Sequence, residues 1–243
     1  MDTSSSQHPS SATTRWSIVA RALRDAPLSP RDALGELCVG YWYPVYAYAR
    51  ASGHAPPIAR DIARTFLEHL LDTFRDTAPP SRAHFRRFLI ERLGAFLAAD
   101  WHATEDAGAA ALALPQDDVE ARYLRDCREA ISPESAFQRC FALEVLARAL
   151  DRLSAEAEET GHLDMYRRLA PYLARDPAQG ETEALARRLG TRTLTVAVAL
   201  KRLRQRLREL VGDELAETVT SADELDTERD ALYAALRAAG GAA

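Results

Sequence analysis

The sequence predicts an all-α protein of two helical domains joined by a linker, and three observations predict it. The chain of 243 residues contains only 11 glycines and 12 prolines, while 47% of it is hydrophobic and Ala, Leu and Arg are abundant. Those are helix formers. Apolar residues recur at three- and four-residue steps, the spacing of a helical face. The length, at about 150 residues per domain, favours two domains. With 28% charged residues, the composition excludes a disordered, collagenous or disulfide-scaffold polypeptide.

Residues 1–13 are rich in Ser and Thr, with neither a basic flank nor an apolar stretch. They read as a disordered tail rather than a targeting signal. No run of about 18 apolar residues follows, so no membrane association is expected and the cytoplasm is the expected compartment. Leu34, Leu37, Cys38, Tyr41, Val45 and Tyr48 define one face of a first helix, which Pro44 should bend. After the break at 53–57, Ile58, Ile62, Phe66, Leu70 and Phe74 mark a second helix at four-residue steps. Ser81 is suited to cap a third, whose buried face is Phe85, Leu89, Leu93, Phe96 and Leu97. Arg82, Arg86, Arg87 and Arg92 fall largely off that face. These helices make a first domain, 14–105.

The pattern weakens over 106–132, which reads as a linker carrying one short helix marked by Val119, Tyr123 and Cys127. At Ser132, Pro133 and Glu134 a cap, a proline at the first helical position and an acid at the positive dipole end announce a long helix. Phe137, Phe141, Val145, Ala149 and Leu153 continue it, and Leu163, Tyr166, Leu169, Tyr172 and Leu173 mark another. The second domain spans 133–219, and an acidic, Ala-rich extension occupies 220–243. Cys38, Cys127 and Cys140 are odd in number and far apart, so neither a disulfide framework nor a metal-binding Cys pair is expected. Each reads as a small buried hydrophobe.

The sharpest signal lies in 182–204, which has the form of a helix-turn-helix. Leu185, Ala186 and Leu189 pack the first helix, Gly190 supplies a left-handed turn residue, and Val196, Leu200, Leu203 and Leu207 bury the second. The other side of that second helix offers Arg192, Thr193, Thr195, Lys201, Arg202 and Arg204 to a DNA groove. An αα-hairpin with a solvated arginine face would show similar spacing. Charge separates the two readings: the chain carries −5 overall, yet 181–211 alone carries +5 and 212–243 carries −6. A local basic block binds polyanions whatever the global sign. The acidic extension is either solvated or folded back on the basic helix in competition with DNA.

Catalytic signatures are missing from the sequence. The six histidines are scattered, and no HExxH, GxSxG, phosphate-loop or dinucleotide fingerprint occurs. No enzymatic activity, cofactor or metal is expected.

Several segments together resemble the extracytoplasmic-function sigma factors, in particular a Trp-rich subgroup. They are Thr14–Val19 (TRWSIV), Leu37–Tyr48 (LCVGYWYPVYAY), Phe85–Leu89 (FRRFL) and Phe96–Trp101 (FLAADW) in the first half. In the second half they are Ser132–Glu134 (SPE), Leu146–Leu153 (LARALDRL) and Val196–Arg204 (VAVALKRLR). The resemblance implies a subunit that binds core RNA polymerase and directs it to promoters. The first domain would grip the clamp of the largest polymerase subunit and help open the −10 element. The second would read the −35 element through the helix-turn-helix. By the same resemblance Arg82, Arg86, Arg87, Arg92 and Trp101 are candidates for the −10 contact, although the arginines also suit a merely soluble helix face.

The chain departs from that family at two places. The second helix there usually opens with clustered acids that meet basic polymerase residues, whereas here Asp61 alone keeps a charge of that sign among Arg60, Arg64 and Thr65. Asp61, Arg64 and Thr65 are the corresponding core-polymerase positions, and basal binding is expected to be weak. Phosphorylation of Thr65 by a Ser/Thr protein kinase would add about −1.5 to −2 charge, restoring what the missing acids supply. Relatives are also usually basic after the position of Trp101, where this chain has Glu105 and Asp106. The alternatives are a sigma-derived DNA-binding regulator that no longer engages polymerase productively, and a helical interaction module that binds no DNA.

Overall fold

A computed structural model describes residues 30–76, 85–99, 118–127, 130–216 and 222–237. The expectations for the tail at 1–13, the segment Thr14–Val19, Ser81, Arg82 and Trp101 lie outside these residues, as do the burial of Leu34, Leu37, Cys38, Phe74 and Phe85. Among the described residues every regular element is a helix. In order they are α1 (Pro30–Ala51), α2 (Pro56–Asp76), α3 (Phe85–Ala98), α4 (Val119–Asp126) and α5 (Pro133–Glu159). There follow α6 (Leu163–Leu169), a short 3₁₀ turn (Ala170–Tyr172), α7 (Glu181–Arg188), α8 (Thr193–Ala216) and α9 (Ala222–Arg237). The chain divides into two compact units, 1–141 with 216–243, and 142–215.

In the first unit the Tyr41–Ala49 stretch of α1 is buried all round, not on one face as its spacing predicts. Such a helix occupies the middle of its bundle. Pro44 lies inside α1, and the helix runs on through it to Ala51. Against α1 packs α2, whose buried residues are Ala59, Ile62, Ala63, Phe66, Leu67 and Leu70. Ile58, expected in that stripe, is 43% exposed. A strict four-residue step advances about 40° beyond each turn, so the stripe drifts, and its first member falls off the face that Ile62 to Leu70 share.

The short helix expected in the 106–132 stretch forms, with Asp118 as its cap (Oδ1 accepts from the Ala121 N–H at 3.1 Å). It is bound to α1 by a polar seam. The Arg50 guanidinium clamps both oxygens of Glu120 at 2.8 Å, the Tyr46 hydroxyl donates to the same carboxylate at 2.5 Å, and Tyr43 donates to Asp126 at 3.1 Å. The Arg122 guanidinium lies 3.9 Å from the Tyr43 ring centroid. Hydrogen bonds from Arg50 and Tyr46 hold Glu120 below the usual carboxylate range, while burial, with help from Glu120, pushes Tyr46 up.

Cys127 and Cys140, expected as separate small hydrophobes, form a disulfide with 6.9 Å between their Cα atoms. The end of α4 lies against the first turns of α5 and brings the sulfurs together, which a sequence separation of 13 does not reveal. Helix α5 starts where Ser132 and Pro133 predict, with reciprocal Ser132–Ser135 bonds at 3.0 and 3.1 Å closing a capping box.

Candidate nucleic-acid interface

The second unit builds a helix-turn-helix from α7 and α8. Gly180 enters α7 at φ 83°, and the Glu181 carboxylate then accepts from the Ala178 N–H and from Arg175. The Arg175 guanidinium, then the Ala178 N–H, hold that carboxylate down at about 2. At the far end Gly190 adopts φ 61°, and the Thr191 N–H reaches back to Ala186 O at 3.0 Å. A left-handed glycine with that long back-bond is a Schellman stop. The chain reverses and restarts at Thr193, with the Arg192 carbonyl accepting from Thr195 and Val196. Leu185, Ala186, Val196 and Leu200 close over Leu169, with Leu189 and Leu203 packed at the margin. The turn residue is the one the spacing predicts, as are the buried Leu185, Ala186, Val196 and Leu200; Leu207, predicted on the same face, is half-buried and outside this cluster.

The predicted DNA-facing residues separate into two groups. Arg192, Thr193, Thr195, Lys201 and Arg202 are exposed, and among the described residues the Arg192, Lys201 and Arg202 side chains make no hydrogen bond or ion pair. Arg204 has other work. Its guanidinium donates to Tyr172 O at 2.7 Å, to Arg175 O at 2.6 Å and to Asp176 Oδ1 at 2.7 Å, tying α8 to the loop before α7. Two residues beyond Arg202, a rotation of about 200° carries it away from the exposed side. Arg206 is likewise engaged, by Glu156 and Glu209. A cavity of about 370 Å³ beside α8 has a mainly apolar lining that includes Pro177, Ala197 and Leu200, with Thr182, Lys201 and Arg208 among its polar members. Reading by polar residues alone missed two members of the exposed side, Leu194 and Val198, which are 74% and 40% exposed.

In the first unit the candidates are dispersed. Arg86, expected on the free face of α3, is 7% exposed. It pairs with Glu228 of α9 at 2.8 Å, and its guanidinium lies 5.2 Å from the Phe141 ring centroid. The i, i+3, i+7 relation of Arg86 to Leu89 and Leu93 puts it on the buried face. The acidic C-terminal segment thus spends Glu228 on Arg86 within its own unit. Arg87 pairs with Glu91 on the surface, and exposed Arg92 lies over Phe88. On α2, Asp61 and Arg64 are exposed and Thr65 half-buried, at helix-neighbour spacing on the side away from Ile62 and Phe66.

No family model matches the chain, and neither a curated protein nor a solved structure matches it. Among the described residues no group of three or more His, Cys, Asp or Glu side chains is placed to hold a metal ion. None of the described helices is long and apolar enough to cross a membrane.

Proposed function

We propose that the chain is a promoter-directing subunit of RNA polymerase, of the extracytoplasmic-function sigma type that its motifs resemble, and not an enzyme. The observation that carries the reading is the helix-turn-helix that leaves Arg192, just before its second helix, and Lys201 and Arg202 on that helix exposed and without partners among the described residues. Ordinary protein surfaces intersperse the two signs, and an unpaired cationic helix face fits a phosphate-lined groove. In this reading the second unit serves the −35 element, while Asp61, Arg64 and Thr65 on α2 serve the polymerase clamp. The first unit contacts the −10 element through Arg87, Arg92 and residues beyond the described set, among them Arg82 and Trp101. Arg86 is withdrawn from that role by its pair with Glu228.

The alternating charges of Asp61 and Arg64 make the clamp surface of α2 nearly neutral, so weak basal affinity for core polymerase follows. Thr65 is half-buried and its hydroxyl makes no hydrogen bond to a described residue. A phosphate there, added by a Ser/Thr protein kinase, would supply the missing negative charge. Transcription in vitro with core polymerase tests the proposal. The chain, or its Thr65→Glu form, supports promoter-specific initiation, whereas Thr65→Ala does not respond to kinase treatment. DNA retention without co-purification of polymerase in any of these forms would instead identify a sigma-derived regulator that has lost its polymerase.

A further inference from the structure

The exposed side of α8 carries two large apolar residues where the sequence reading sees only cations and hydroxyls. At 100° per residue, Leu194, Val198 and Lys201 fall within an arc of about 60°, on the side opposite Val196, Leu200 and Leu203, which are buried or packed on the core. Leu194 is 74% exposed and Val198 40%, so neither contributes much to the core of its own unit. Lys201 lies within that arc and Arg202 about 40° beyond Val198, both exposed and without partners among the described residues, while exposed Arg192 precedes the helix.

This setting selects the occupant. A protein partner would need an interface of about 800 Å² on this side, with an apolar centre depleted of lysine, and two apolar side chains flanked by Lys201 and Arg202 do not provide one. A duplex groove supplies phosphates for the cations. It also supplies, in the major groove, one apolar group among the base edges, the C5-methyl of thymine.

We propose that Leu194 and Val198 are specificity-determining residues that read thymine methyl groups in the major groove. The inference rests on the DNA-binding reading above and deepens it by naming what the helix selects. The two residues are about 6 Å apart along the helix axis, about two base steps at 3.4 Å. The expected recognition element therefore contains two thymines at about that separation. Hydrogen-bonding side chains alone would favour G edges through Arg192 and Arg202, and would be indifferent to the methyl.

The test uses the full chain, alone and with core RNA polymerase, to retain members of a random-sequence duplex DNA pool from which the bound sequence is read. Each enriched thymine is then replaced by deoxyuridine, which differs only in lacking the methyl. The wild-type chain loses about fourfold in affinity per methyl, the value of burying one such group. Leu194→Ala with Val198→Ala loses that discrimination but keeps its salt-dependent affinity for unselected DNA, and because both side chains are exposed the fold is kept. Salt-dependent binding that is equal for thymine and deoxyuridine would overturn this inference and leave the DNA-binding reading standing. No retention of DNA, alone or with polymerase, would overturn both. Concentration-dependent self-association of the wild-type chain that the double variant abolishes, without any thymine preference, would assign the face to a second copy of the chain and overturn the inference.

Discussion

Replacing Arg204 by alanine separates structure from recognition within a single basic helix. The guanidinium holds two backbone carbonyls, Tyr172 O and Arg175 O, at 2.7 and 2.6 Å, and Asp176 at 2.7 Å. Asp176 is 88% exposed, so its ion pair contributes little. The carbonyl bonds matter more, because a hydrogen bond to a charged donor is worth about 1.5–3 kcal/mol. Arg204 is itself about a quarter exposed, and water partly replaces it after truncation. About 2 kcal/mol of destabilisation is therefore expected for Arg204→Ala. In a chain of this size that lowers the melting transition by about 4–8 °C. Arg204→Lys should recover little, since one ammonium cannot span the carbonyls as the fork does. Arg202→Ala should leave stability within about 0.5 kcal/mol of the parent, yet reduce the slope of log affinity against log salt by about 0.9, one phosphate's worth. Thermal unfolding and DNA titration at several salt concentrations give both numbers. If Arg204→Ala were as stable as the parent while losing a unit of salt slope, the assignment of these two arginines would be reversed.

Three further outcomes follow from the same geometry. Gly190→Ala should cost about 1 kcal/mol in thermal unfolding; a Cβ there meets nothing within 4 Å, so the cost is that of φ 61° alone. Glu120 is held below its ordinary range and Tyr46 above its own. The seam's stability should therefore be complete above about pH 4.5, fall on acidification below that, and fall again above about pH 10, where an unfolded tyrosine ionises; a pH series of melting curves for the parent and Glu120→Gln, the latter flatter at the acid end, checks this. Peptide mapping without reductant should recover Cys127 linked to Cys140, and reduction should lower stability by about 3 kcal/mol for a loop of this length.

What was legible in the sequence is what repeats locally. The helix cap at Ser132, the stop at Gly190 and the buried stripe through Val196 and Leu200 depend on residues within a turn or two of one another, and spacing encodes them. Contacts between distant segments are not encoded that way. Arg86 and Glu228 find each other across 142 positions, and nothing in either neighbourhood marks the pair. Arg202 and Arg204 are the same residue type two positions apart; the acceptors that capture Arg204 are backbone carbonyls, which carry no sequence signal. The polar seam between α1 and α4 was missed because Tyr43 and Tyr46 lie off the apolar face that the spacing marks and carry no local sign of a partner, while the stretch holding Glu120 and Asp126 reads as a linker. Leu194 and Val198 were missed for the opposite reason, since apolar residues in a helical pattern are assigned to the core by default.

Promoter-specific transcription by core polymerase supplemented with this chain, compared with its Arg192→Ala, Lys201→Ala, Arg202→Ala form, tests the central claim most directly. The account predicts initiation at a defined start site with the parent or its phosphorylated form, and loss of that initiation in the triple variant while polymerase still co-purifies. Equal initiation by parent and triple variant would contradict the recognition role given to α8, and no initiation by any form of the chain would contradict its role as a polymerase subunit.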